Sequence, residues 1–357
     1  MRSTRNALVT LMLLASALTA HSEDNALLVE LPVGTLPYGV GANGSIVVGS
    51  YRLPANGFYW MPTTGDIFIG GGVGAFAVSR DGRTIAGTAL DSRRVEQAAV
   101  WQRGTEWRLL GSIRPNAVPC GDLLSTAHGT NANGRVIVGL AWDNCNVARA
   151  FRWEEATGMV DLGTFVPNRS TSANGVSADG RVVVGYQQRS DGVRQGARWV
   201  DGKEEVFTGP RGGHVADAFG TNRDGSIIVG QNCLPSDSDP LDQSAWMWTA
   251  AEGVVCMPVP GRRQSAEGLI TSTSDDGRVM GGGHGEGLDS EAVVWIDRKP
   301  AYLKDYLRAH GVPTAFERWI NTGFINAVSP DGRVLVGFGA GPRDFQGFLV
   351  ILGSDRD

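Results

Sequence analysis

Charged residues are scarce in this 357-residue chain, 19% of the total, and no long run of Lys and Arg occurs in it. A nucleic-acid partner needs a basic patch to meet its phosphates, so that class of partner is excluded. No apolar stretch beyond residue 20 is long enough to cross a bilayer, so no membrane span is expected in the mature chain. The four Cys and five His show no C-x2-C or H-x3-H spacing, which argues against a zinc site, and no G-x-S-x-G nucleophile elbow is present. We expect no metal and no cofactor.

What is present is turn and sheet material. Fifty Gly, sixteen Pro and ten Trp, with 42% apolar residues, read as many short strands joined by tight turns around a fillable core. Residues 1–20 carry Arg2 and Arg5, then an apolar run from Ala7 to Leu14, then Ala15 and Ala17 in an A-x-A arrangement. That is the pattern of a secretory signal peptide, cleaved after Ala17 or Ala20, and it implies a periplasmic or extracellular protein. Without this segment the net charge of −5 becomes −7.

One unit recurs seven times. Its turn dipeptides are Asn43-Gly44, Asp81-Gly82, Asn133-Gly134, Asp179-Gly180, Asp224-Gly225, Asp276-Gly277 and Asp331-Gly332. Five residues after each turn Gly comes another, at 49, 87, 139, 185, 230, 282 and 337. Asn-Gly and Asp-Gly supply the positive φ angles of a two-residue hairpin, so the flanking segments pair as antiparallel strands. A third strand follows, ending in Trp at 60, 101, 153, 199, 248 and 295, and a fourth such as GMVDLG at 158–163. The Trp is read as packing between stacked sheets. Four strands per unit, repeated, predict an all-β, seven-bladed β-propeller occupying 21–357 as one domain.

The seventh copy stops after its third strand, and residues 26–34, ALLVELPVG, match the missing fourth in pattern. Pairing them there closes the ring and removes an exposed edge. After Pro300, the helical spacing of Leu303, Tyr306, Leu307 and His310 before Gly311 predicts one short helix inserted between blades six and seven.

The stretch GTNANGRVIVG…ARAFRWEEATGMVDLGTF (129–165), with its counterparts across 35–352, resembles the bacterial extracellular HAF-repeat family. Arg149-Ala150-Phe151 is the nearest approach to a literal His-Ala-Phe. The resemblance implies export and a repeated propeller-like scaffold. It carries over no catalytic residues.

Positions alike in every copy are architectural, so function belongs where the copies differ. In a propeller the connections between blades share one face with the loops joining second and third strands, and here all the variety lies on that face. The fifth residue before each turn Asn or Asp is Tyr38, Phe76, His128, Asn174, Phe219, Thr271 and Asn326, followed always by Gly, Ala or Ser. We read this mixed ring as the mouth of the central channel, a default ligand site, with the small residues letting strands crowd the axis. Local packing or a loop hydrogen bond is the plainer reading for any one of them. The other candidates on this face are Trp142 and Asp143 in a long loop, His214, Asp217 and His284. Asp237, Asp239 and Asp242 lack a calcium-loop pattern and read as a solvated acidic loop.

The four Cys allow three pairings; Cys120–Cys145 and Cys233–Cys256 are expected, because each pair approaches the loop-rich face within one copy. Two functions compete. One is a non-enzymatic, monomeric binding propeller for a carbohydrate, peptide or envelope protein. The other is a hydrolase or lyase acting on a polymer, which requires ionisable groups such as His128, His214 and Asp217 to converge.

Overall fold

In a computed structural model, residues 25–115, 117–233, 244–261, 268–285 and 287–353 are described. The expected signal segment and Asp237, Asp239 and Asp242 lie outside them.

The chain forms a seven-bladed β-propeller. Blades one to six comprise residues 35–69, 72–109, 125–161, 171–206, 218–257 and 268–302, each with four antiparallel strands in chain order; blades five and six are joined into one sheet by a single antiparallel pair, Gln231 opposite Leu269. Blade seven takes three strands from 324–351 and its outermost strand, Leu27–Val33, from the other end of the chain. That strand pairs antiparallel with Phe345–Ile351, with Val29 opposite Leu349, so the ring closes as the pattern of residues 26–34 predicts. The inserted helix is there too, Leu303–Ala309, with Leu303 and Leu307 buried against blades six and seven.

Seven apolar clusters, one in each gap between neighbouring blades, form the core of the described residues. The repeated Trp packs back onto the preceding blade: Trp60 against blade seven, Trp153 against blade two, Trp199 against blade three, Trp295 against blade five. Trp101 and Trp248 do the same while half-buried. A large ring fills the wedge-shaped gap that opens between sheets radiating from an axis.

The turns differ from expectation. Of the seven turn Asn and Asp residues only Asn43 has a positive φ; in the other six copies the following Gly alone does. The loop is therefore wider than a two-residue hairpin. In blade four, Ser177 N–H bonds to the Val182 carbonyl at 2.8 Å, and Gly180 N–H to the Ser177 carbonyl at 3.0 Å. Asp179 Oδ1 accepts from Ser177 Oγ at 2.6 Å and from Arg181 N–H at 3.0 Å. The Asp shapes the loop by accepting hydrogen bonds, which leaves only the Gly to occupy the left-handed region.

The residues just before these turns make a backbone belt around the axis. Ala42 N–H donates to the Arg80 carbonyl, Arg80 to Ala132, Ala132 to Ala178, Ala178 to Arg223 and Asp275 to Pro330, at 2.8 to 3.3 Å. Asn222 Nδ2 reaches the Asp275 carbonyl at 3.1 Å. Pro330 has no N–H, so blade seven cannot pass such a bond to blade one.

Both disulfides occur as expected, Cys120–Cys145 and Cys233–Cys256.

Candidate functional site at the channel mouth

The seven ring residues stand at seven β-bulges. In each blade the register between first and second strands slips by one, between Pro37 and Gly39, Ala75 and Ala77, Ala127 and Gly129, Ala173 and Gly175, Ala218 and Gly220, Ile270 and Ser272, and Ile325 and Ala327. The residue skipped in each case is Tyr38, Phe76, His128, Asn174, Phe219, Thr271 or Asn326. A bulge leaves one residue outside the ladder and re-aims its side chain. Here all seven border a single cavity of about 520 Å³.

The bulge also explains the repeated Gly. A Cβ on Gly185 would lie 1.9 Å from the Ser172 carbonyl oxygen, and one on Gly139 2.0 Å from that of Thr126 and 2.9 Å from the Phe151 ring. Each of the other five copies has the same conflict. The small residue after the ring position lets blades approach: a Cβ on Gly220 would lie 2.6 Å from the Thr271 carbonyl oxygen.

The polar ring members reach to the next blade. His128 Nδ1 donates to the Ala173 carbonyl at 3.0 Å, Asn174 Nδ2 to Ala218 at 2.9 Å, Thr271 Oγ1 to Ile325 at 2.6 Å and Asn326 Nδ2 to Pro37 at 2.7 Å. In each case the acceptor is the carbonyl just before the next ring residue. The plainer reading, a local hydrogen bond, thus holds for one side of these groups. Because a carbonyl only accepts, His128 Nδ1 carries the proton, and burial lowers the ring's pKa, so Nε2 keeps a bare lone pair. Tyr38 and Phe76 meet edge to face at 5.2 Å, and burial raises the pKa of the Tyr38 hydroxyl, with Ser50 pulling the other way.

Below the mouth the channel narrows. A second cavity of about 150 Å³ shares Val40, Val78, Thr130, Val176, Thr221, Ser272 and Val328 with the first and ends at Arg80, Arg223 and Asp275. Among the described residues no Asp, Glu, Lys or Arg borders the larger cavity.

The remaining candidates are not brought there. Trp142 is half-buried rather than exposed, with its indole N–H enclosed and unpaired. Asp143 pairs with Arg114 at 3.2 Å. His214 is buried and bonds through Nε2 to the Arg194 carbonyl at 2.6 Å, while His284 is buried in its strand opposite Glu291. Asp217 pairs with Arg194 at 3.1 Å; burial raises its carboxyl pKa against the pull of that guanidinium. His128 is bonded to Ala173, away from both His214 and Asp217, so the three do not form one hydrogen-bonded constellation. Sequence reasoning missed Phe338, which meets Tyr38 edge to face at 6.1 Å and supports that ring from outside the cavity lining; its only signal is an aromatic one residue past the repeated Gly337. No group of three metal-binding side chains gathers among the described residues.

No family model matches the chain, and no curated protein matches it. Solved propellers do resemble it in fold. The β-propeller domain of the Trilobed protease from Pyrococcus furiosus, described as having an open velcro topology, superposes with a TM-score of 0.56 at 12% identity, covering 92% of this chain and 96% of that one. An oligogalacturonate lyase from Vibrio parahaemolyticus gives 0.55 at 11%, covering 94% and 100%. An oligogalacturonate lyase in complex with manganese gives 0.55 at 12%, covering 93% and 92%. At these identities the likeness is one of fold.

Proposed function

We propose that this protein is an exported, non-enzymatic binding propeller that takes its ligand at the mouth of the central channel. The observation that carries this reading is the set of seven bulges, each turning a differing side chain into one cavity while the sheet around it stays constant. Architecture and recognition are thereby assigned to different positions of the same strand. Two disulfides support export to an oxidising compartment, and the HAF-like repeats support the same placement. The ligand is a carbohydrate, a peptide or a segment of an envelope protein.

The polymer hydrolase or lyase is the competing reading, and oligogalacturonate lyases share the fold. Its requirement is converging ionisable groups, whereas His214 and Asp217 are engaged with Arg194 in blade four and only His128 of the three reaches the cavity. The deciding experiment is a panel of glycans and peptides incubated with the purified protein, scored for both binding and product formation. Saturable binding without turnover, weakened by Phe219→Ala, is expected; product formation from any panel member would establish the enzyme instead.

A further inference from the structure

Resting on the reading of the channel mouth as the binding site, we infer that its ligand is an uncharged sugar, held as a pyranose ring. The cavity border carries no formal charge among the described residues, and His128 is neutral there. A carboxylate, phosphate or ammonium group entering it would shed water without meeting a counter-charge, a large penalty. The charged groups of the channel, Arg80, Arg223 and Asp275, sit at the opposite end, beyond the Val and Thr belt.

What the mouth offers is complementary to hydroxyl groups. His128 Nε2 accepts; Asn326 Oδ1 accepts; Asn174 and Asn326 each spend one amide hydrogen on the next blade and keep the other. A sugar hydroxyl both donates and accepts, so it satisfies either kind of group. Between these polar positions stand Tyr38, Phe76 and Phe219, whose electron-rich faces suit the C–H face of a pyranose. A cavity of about 520 Å³ has the size of small-molecule sites.

An extended peptide is favoured less. It would bind by backbone pairing along the inner strand edges, but the carbonyls of Pro37, Ala173, Ala218 and Ile325 already accept side-chain hydrogen bonds.

The test is calorimetric titration and amide NMR of the full exported chain with glucose, galactose, mannose and N-acetylglucosamine, their methyl glycosides and trisaccharides, the matching uronates and hexosamines, and neutral tripeptides. At least one neutral sugar should shift the amides of Gly129, Gly175 and Gly220, which border the cavity. Its uronate and its amine should bind at least roughly tenfold more weakly. Preference for the free sugar or for the glycoside and trisaccharide tells a transported monosaccharide from a glycan end. Phe219→Ala, a position with no cross-blade hydrogen bond, should weaken binding roughly tenfold with an unchanged melting temperature. A charged compound or a peptide that shifts these glycines while no neutral sugar does would overturn the sugar and leave the site standing. Shifts confined to other surfaces would overturn both, and no binding by any neutral sugar overturns the inference.

Discussion

Arg80 and Asp275, 195 positions apart, meet as an ion pair across the turn-side end of the channel, joining blade two to blade six. Both side chains are about 30% exposed, so the pair is only partly screened. A double-mutant cycle with Arg80→Met and Asp275→Asn should give a coupling of about 1 kcal/mol at low salt, shrinking in molar salt. Zero coupling at low ionic strength would mean that the pair contributes nothing to closing this end.

The bulges impose a demand on the repeated Gly. Gly185→Ala forces a Cβ to within 1.9 Å of the Ser172 carbonyl oxygen, and the strand cannot yield without losing its register. A loss exceeding about 3 kcal/mol in denaturant unfolding is expected. Gly70→Ala, where a Cβ meets nothing within 4 Å, should change stability by less than about 0.5 kcal/mol. Equal effects of the two would refute the bulge account.

Ring closure is tested by removing residues 26–34 from the mature chain. The outermost strand of blade seven would be absent, exposing Phe345–Ile351 as an unpaired edge and uncovering the cluster that contains Val29 and Leu31. The truncated protein should melt lower and self-associate on size-exclusion chromatography; a monomer of parental stability would contradict closure.

The two disulfides should not reduce together. Cys233 is fully buried, whereas Cys145 is exposed and Cys120 half-exposed. With a graded thiol reductant and alkylation followed by mass spectrometry, Cys120 and Cys145 should be labelled first. Prior labelling of Cys233 and Cys256 would reverse the assignment of the buried bridge.

Glu204, on the outermost strand of blade four, has its carboxyl pKa pushed up to about 7 by burial, with the Phe165 N–H and the Arg149 guanidinium pulling the other way. An acid whose folded pKa is raised binds protons more tightly when folded, so its contribution to stability falls as pH rises from its ordinary 4.5 through about 7. Glu204→Gln should therefore melt about 1–3 °C higher than the parent at pH 8 and no higher at pH 4. A stabilisation that is the same at both values would exclude this titration as its cause.

The letters of the chain revealed the blades because Trp153, Gly139 and Asp179 are required by side-chain volume, close approach and hydrogen-bond acceptance, which few residues can supply. They revealed the ring because Tyr38, His128 and Asn174 stand at a constant distance from a recognisable turn. The bulge beneath that ring was not legible, since a shift in register is a property of backbone pairing that no single residue announces. The belt through Ala42, Arg80, Ala132 and Ala178 was hidden for the same reason: main-chain bonds leave side-chain identity free. His214, Asp217 and His284 looked available because reactivity can be read from a letter, whereas their engagement by Arg194 and by neighbouring strands depends on the packed fold.

A residue that stands outside the hydrogen-bond ladder can be exchanged without rewriting the ladder. Seven such residues facing one space make the propeller a combinatorial receptor, in which the scaffold is inherited and the specificity is a seven-letter word. Phe76 and Phe219, which make no cross-blade hydrogen bond, are the letters cheapest to change, and His128, Asn174, Thr271 and Asn326 are those whose replacement must also preserve a bridge to the next blade. New recognition, by selection in nature or in the laboratory, should enter this fold first at the aromatic positions.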